Sequence, residues 1–474
     1  MTTTETQPVA GAGLEQRAAG LALAALSLSM LLSSLGTSIA NVALPTLADA
    51  FAAPFQAVQW IVLAYLLAIT TLIVSVGRLG DMLGRRRLLL GGLALFTAAS
   101  LACGLAPTLT LMIVARAAQG LGAAVMLALS MALVGETVPK EKTGSAMGLL
   151  GTMSAVGTAL GPSLGGVLIA AFDWRSIFLI NVPLGLVALL LVGRYVPAER
   201  RMAASAPARF DAIGTLLLAL TLGAYALAMT LGRGHFGALN TALLTAAAIG
   251  VVLFVLVEMR VASPLLRPAM FRDRDLTTGF AMSALVATVM MTTLVVGPFY
   301  LARALGLDAA LVGVTLSAGP AVAALSGVPA GRVVDRFGAQ GMTVAGLVAM
   351  AAGAILLATM PSEFGVPAYV GAIVVLTAGY ALFQAANNTA VMTGVRAEQR
   401  GVVSGLLNLS RSLGLITGAS AMGAVFAFAS TSIDVATASP AAVASGMRVT
   451  FAVAAALIVA AIAIAFAGRA KATA

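Results

Sequence analysis

Two arginines and a small set of amides, placed deep inside apolar runs, are the residues of this chain best suited to chemistry. Arg116 stands about two turns into one run, and Arg411 about ten residues into another, roughly 15 Å at helical rise. Asn408 lies one turn before Arg411, and Gln384, Asn387 and Asn388 share a helix face at i, i+3 and i+4 spacing. Asn41, Gln59, Tyr65 and Gln119 are further polar groups within such runs. A charge in an apolar run is costly and faces a bundle interior or a wet cavity. Groups of this kind bind and orient; they do not break bonds. For the amides, hydrogen bonding that only holds helices together competes evenly with a cavity lining. Sets that do break bonds are missing. One histidine, His235, and one cysteine, Cys103, leave no Ser-His-Asp set and no Cys/His cluster, and no run holds a carboxylate pair. The expectation is a protein that is not an enzyme and holds neither metal nor cofactor.

The elements that must position these residues follow from composition. The 474 residues are 60% hydrophobic and 9% charged, against about 25% charged in soluble domains. Fourteen apolar runs, from 21–47 to 446–467, each reach the roughly 20 residues a bilayer crossing needs. An all-α integral membrane protein is therefore expected. Its 27 basic and 17 acidic residues give a net charge of +10. With both termini in the cytoplasm, 21 basic residues fall on the inner side, four on the outer side and two, Arg116 and Arg411, within spans. That asymmetry obeys the positive-inside rule and predicts a multi-pass protein of the cytoplasmic (inner) membrane with an uncleaved N-terminus. The basic excess is spread by topology rather than gathered on one face, so the bilayer is the partner and nucleic acid is not. The acids divide into twelve inner and five outer residues, with none in the middle of a span. Asp49 and Glu136 are the acids nearest to spans and, with Arg116, the candidates for any proton coupling. A lone cysteine excludes an intramolecular disulfide.

An internal repeat organises the runs. Gly77-Arg78-Leu79-Gly80-Asp81-Met82-Leu83-Gly84 and Gly331-Arg332-Val333-Val334-Asp335-Arg336-Phe337-Gly338 both read G-R-x-x-D-x-x-G, offset by 254. Glu141, Gly144, Gly148 and Leu149 match Glu398, Gly401, Gly405 and Leu406, offset by 257. This predicts a cytoplasmic tail over 1–20, a six-helix bundle over 21–195, two inserted helices with their flanks over 196–275, a second six-helix bundle over 276–467 and a tail over 468–474. Parallel repeats of this kind are a transporter architecture, with the substrate between the halves.

These motifs resemble the major facilitator superfamily, and within it the fourteen-span drug:proton antiporters. The resemblance rests on the loop Gly77–Arg87, on Arg116-Ala117-Ala118-Gln119-Gly120-Leu121-Gly122, and on Gly157-Thr158-Ala159-Leu160-Gly161-Pro162-Ser163-Leu164-Gly165-Gly166. Trp174–Phe178, Asn181–Gly185 and Asn41-Val42-Ala43-Leu44-Pro45 add to it. It implies a major-facilitator fold of fourteen helices. It implies a gating loop carrying Gly77, Arg78, Asp81, Gly84, Arg85 and Arg86, and an antiporter motif with Gly157, Gly161, Pro162, Gly165 and Gly166. It further implies export of small amphipathic drugs or natural products by alternating access in exchange for protons; a monomer is expected. With no Walker A segment, ATP-driven transport would need another subunit. One departure matters. Many fourteen-span antiporters carry an aspartate five positions before the asparagine of N-V-A-L-P, where this chain has Gly36. A proton-independent facilitator, or an exporter of neutral or anionic molecules, is the alternative.

Overall fold

The computed structural model describes residues 9–138, 143–197, 211–231, 237–261, 273–393, 400–430 and 438–469. It is all-helical over these residues: α1 (Val9–Val42), α2 (Leu44–Ala50), α3 (Phe55–Leu83), α4 (Arg85–Gly104), α5 (Leu109–Thr137), α6 (Thr143–Ala171), α7 (Ser176–Leu179), α8 (Asn181–Tyr195), α9 (Ala212–Thr230), α10 (Ala238–Glu258), α11 (Arg274–Phe299), α12 (Ala309–Leu316), α13 (Ala318–Phe337), α14 (Ala339–Thr359), α15 (Gly365–Thr393), α16 (Arg400–Thr417), α17 (Gly423–Ala429) and α18 (Pro440–Arg469). Short π-helical segments, Tyr300–Ala304 and Gly418–Met422, follow α11 and α16. Among the described residues, fourteen helical stretches are long and apolar enough to cross a membrane. An even number of crossings returns the chain to the face it left. We call that the termini face and the opposite one the distal face.

Local sequence explains the breaks. Pro45 sits in the first turn of α2 and has no N–H to give the Asn41 carbonyl four residues back, so the helical ladder is interrupted and α1 yields to α2 at Ala43. Gly84 and Gly338, the last glycines of the repeated motif, take φ of 91° and 84° and each precedes a new helix. A side chain would be strained there, which accounts for glycine at that repeat position.

Helices α1 to α8 pack chiefly on one another and form a first set; α11 to α18 form a second; α9 and α10 pair as a hairpin. The apolar core shows how the sets meet. Towards the distal face it is one continuous cluster that draws on both, from Leu35, Leu47, Phe55 and Trp174 to Phe299, Tyr369 and Phe426. Towards the termini face it divides. One cluster, with Leu26, Tyr65, Phe96, Met126 and Val192, belongs to the first set alone. A smaller one, with Leu276, Phe280, Val391, Val403 and Leu406, belongs to the second. Among the described residues, the buried core is thus continuous at one end and divided at the other.

Candidate functional site

Arg116 is fully buried, seven residues into α5. Its Nε donates to the Ile61 carbonyl of α3 at 2.9 Å, one terminal nitrogen to Gln119 Oε1 at 2.5 Å, and the other to the Gly36 carbonyl of α1 at 3.1 Å. Gln119 Nε2 passes the chain on to Ser100 Oγ of α4 at 2.7 Å. The Tyr65 ring lies 4.2 Å from the guanidinium carbon and its hydroxyl donates to the Ser33 carbonyl at 2.8 Å; the Phe178 ring is 5.8 Å away. No carboxylate touches this cation among the described residues. Two backbone carbonyls, an amide oxygen and an aromatic face compensate it instead. The R-x-x-Q-G-x-G spacing explains itself. Arg116 and Gln119 meet one turn apart. A Cβ on Gly120 would stand 2.5 Å from the Tyr65 carbonyl oxygen, and one on Gly122 would stand 2.6 Å from the Gly92 carbonyl oxygen. The two glycines bring α3 and α4 close enough for the arginine's reach.

Gly157, Gly161 and Gly165 line the face of α6 that packs on α1. Added Cβ atoms would meet the Leu31 carbonyl oxygen at 2.5 Å, Ser38 Cβ at 2.7 Å and Val42 Cγ1 at 2.7 Å. Pro162 is buried within α6, and Gly166 faces the other way: its Cβ would lie 2.5 Å from the Ala309 carbonyl oxygen and 2.9 Å from Gly313 Cα in α12. The motif therefore serves two contacts, one inside the first set and one between sets.

The distal seal has further parts. Phe55 packs edge-on against Phe299 and Phe426, with ring centroids 4.7 and 5.5 Å apart. Gln59 Nε2 donates across the interface to the Ala419 carbonyl at 2.8 Å. At the rim, Asp49 pairs with Arg303 beside a crevice of about 210 Å³ lined by Val42, Thr46, Ala309 and Val312. The Asp49 side chain is 61% exposed. An exposed pair of this type is worth about 0–1 kcal/mol. Asp49→Asn is accordingly expected to change stability by less than about 1 kcal/mol, as checked by thermal unfolding in detergent.

The polar residues within the apolar runs fall into different environments. Asn41, Gln59, Tyr65, Arg116, Gln119 and Asn387 are buried. Asn41 turns back on its own helix, donating to Thr37 and Ser38 carbonyls at 3.0 and 3.3 Å, and Asn387 donates to the Gly279 carbonyl at 3.2 Å. Asn388, Asn408 and Arg411 are exposed, and Gln384 is half-buried. Helix α16 buries Val403, Leu406, Leu407, Leu409 and Ile416 and leaves Asn408 and Arg411 uncovered. A lipid-facing arginine at that depth would be expensive. In the gating loop, Arg86 donates to the Gly193 carbonyl and ties the start of α4 to the end of α8. The side chains of Arg78, Asp81 and Glu136 lie outside the described residues, as does His235. Ser100, Ser33, Arg303 and the carbonyls of Gly36 and Ile61 complete these networks without any sequence mark of their own. A backbone acceptor has none to offer.

Comparison with known proteins fits this architecture. Residues 26–419 match the family model described as Major Facilitator Superfamily. The multidrug resistance protein Stp of Mycobacterium tuberculosis (strain CDC 1551 / Oshkosh) is 34% identical over 86% of this chain and 76% of its own length. The riboflavin transporter RibZ of Clostridioides difficile (strain 630) is 27% identical, over 86% of this chain and 88% of that protein. Among solved structures, a bacterial homolog of the human lysosomal transporter Spinster, in an inward-facing and unoccupied conformation, aligns with a TM-score of 0.70 at 17% identity. That alignment covers 95% of this chain and 97% of that one. A chain of fourteen apolar helices, matched over most of its length, belongs to the major facilitator superfamily, secondary carriers of small molecules rather than enzymes.

Proposed function

We propose that this protein exports small amphipathic drugs or natural products across the bacterial cytoplasmic membrane by alternating access, in exchange for protons. The observation that carries the reading is the core that is fused distally and divided towards the termini. With the termini in the cytoplasm, this is an inward-open state, ready to load from the cell. The two sets then act as six-helix bundles that rock about their contact. Similarity to multidrug resistance proteins supports drug-like cargo. Asp49 is the described carboxylate best placed for coupling, because its partner Arg303 sits on the opposite set.

Three observations favour a second reading, a proton-independent carrier of neutral or anionic molecules. Among the described residues no carboxylate lies mid-span, Arg411 is uncovered, and Gly36 occupies the position where related antiporters hold an aspartate. Uptake of a fluorescent drug into everted membrane vesicles under an imposed pH gradient separates the two. Antiport predicts accumulation that scales with the gradient and collapses when an ionophore dissipates it. Uptake that ignores the gradient assigns the second reading.

A further inference from the structure

Among the described residues two hydrogen bonds join the first set to the second, and both land in a π-helical segment. Arg303, in Tyr300–Ala304, pairs with Asp49 of α2. Ala419, in Gly418–Met422, accepts from Gln59 Nε2 of α3 at 2.8 Å. The second contact replaces a rung of the helix. A regular α-helix gives the Ala419 carbonyl to the N–H four residues on, that of Gly423. Here the Gly423 N–H donates to the Ser420 carbonyl, and the Gln59 amide takes its place. Gln59 is 2% exposed, so a side-chain donor stands in for a main-chain one in a dry interface. Residue 423 must be glycine for this, because an added Cβ would overlap Gln59 Nε2. The two sides of the turn are held differently. Gly414 and Gly418 lay α16 directly on the backbone of α11, where added Cβ atoms would overlap the Ala284 and Thr288 carbonyl oxygens. Beyond the turn, α17 is held by side chains: Phe426 is fully buried against Phe55, and a Cβ on Gly446 of α18 would lie 3.1 Å from its ring.

We infer that the turn Gly418–Met422 is a switch of the distal gate and that Gln59 is its positioning residue: when Gln59 withdraws, the Ala419 carbonyl takes the Gly423 N–H, the π turn closes to α, and α17 rotates and carries Phe426 off Phe55. A carbonyl left unpaired in a dry interior is costly, and the Gly423 N–H is the donor one α rung away. Closing the turn re-registers the helix by one residue, about 100° of rotation. The rotation falls on α17, because α16 cannot turn against α11 without backbone overlap. It also brings a neighbour with a Cβ to the place that Gly423 held, so Gln59 returns only when the π turn reopens. Gln59 does not touch cargo. Single π turns within α-helices occur frequently at functional sites, which suits this role.

The inference rests on alternating access, so its test reads conformation in the absence of cargo. Cys103 is the only cysteine and is buried, so Cys103→Ser gives a silent background. Val62→Cys places a reporter one turn from Gln59 on the same face of α3, where the residue is 1% exposed. A membrane-impermeant maleimide is applied to the distal side of proteoliposomes. Gln59→Ala is expected to speed labelling by about two- to twelvefold, the equivalent of one lost hydrogen bond. A second readout separates the switch from a contact that merely glues the sets. Nitroxide labels at Asn408→Cys and Phe428→Cys sit at exposed positions on either side of the turn, both in the second set. Rocking of whole sets leaves their separation unchanged, whereas closing the turn lengthens it by roughly 3 Å. Gln59→Ala should populate the longer distance, and Gly423→Ala, which expels the amide, should reproduce both shifts and add nothing to Gln59→Ala. Faster labelling of Gln59→Ala with an unchanged distance overturns the switch, as does labelling at the parental rate. A parent chain that accumulates no drug in vesicles, with both conformational readouts as expected, overturns the drug-export reading and leaves the switch standing.

Discussion

Arg116→Lys is expected to abolish export and to lower the melting temperature, close to the effect of Arg116→Ala. Three acceptors on three helices take hydrogen bonds from the guanidinium: the Ile61 and Gly36 carbonyls and Gln119 Oε1. An ammonium is a point charge on a flexible stem and does not reproduce that fork. It would sit buried over Tyr65 with part of its hydrogen-bonding capacity unmet, and the abandoned carbonyls would be left without water. Breaking one side of a buried charged network costs on the order of 3–5 kcal/mol, a large share of ordinary folding stability. Gln119→Ala should be milder, because it leaves both carbonyl contacts and strands only one terminal nitrogen; Ser100 Oγ keeps its bond to the Phe96 carbonyl. Thermal unfolding in detergent and dye export from proteoliposomes check the order Arg116→Lys, then Gln119→Ala. A lysine variant that exports at the parental rate would show that charge alone suffices and that the fork has no role.

This network also shows where sequence reading stops. Fourteen spans, the repeat and the burial of Arg116 are legible because each depends on local composition or on the cost of a charge in lipid. The Arg116–Gln119 pair is legible too, since i, i+3 spacing puts both on one face. The acceptors are not. Gly36 stands out in the sequence only as a missing aspartate, yet its carbonyl is what the arginine holds. Which of the amides are buried is illegible for a similar reason. Asn41 and Asn408 look alike in sequence, but one is buried against its own helix and the other is uncovered, and helix rotation in a bundle decides which. Contacts between sets, such as Asp49 with Arg303 or Gln59 with Ala419, join residues more than two hundred positions apart and carry no periodic signal. The G-P-x-x-G-G motif was half legible: its four-residue spacing announces a close helix contact, but not that Gly166 turns to a different neighbour.

That last residue carries the second large effect. Gly166→Val is expected to hold the distal face open and stop export while each set stays folded. Its Cβ would stand 2.5 Å from the Ala309 carbonyl oxygen and 2.9 Å from Gly313 Cα. Both are backbone atoms, so no rotamer change makes room, and the two sets must part. Overpacking of this kind costs about 1–3 kcal/mol. Because α6 and α12 belong to different sets, separation relieves the clash, and the cost falls on the sealed state alone. Gly313→Val should act alike from the other side, since its Cβ would stand 2.8 Å from Gly166 Cα. Gly157→Val meets the Leu31 carbonyl oxygen inside the first set, where parting the sets gives no relief, so it should lower the melting temperature without raising distal access. Gly151→Val, with nothing within 4 Å of its Cβ, should leave both properties unchanged. Maleimide labelling at a Val62→Cys reporter, read beside thermal unfolding, separates these outcomes. Rapid distal labelling confined to the Gly166 and Gly313 variants places the gate at that glycine contact. Equal labelling across all four variants would place it elsewhere.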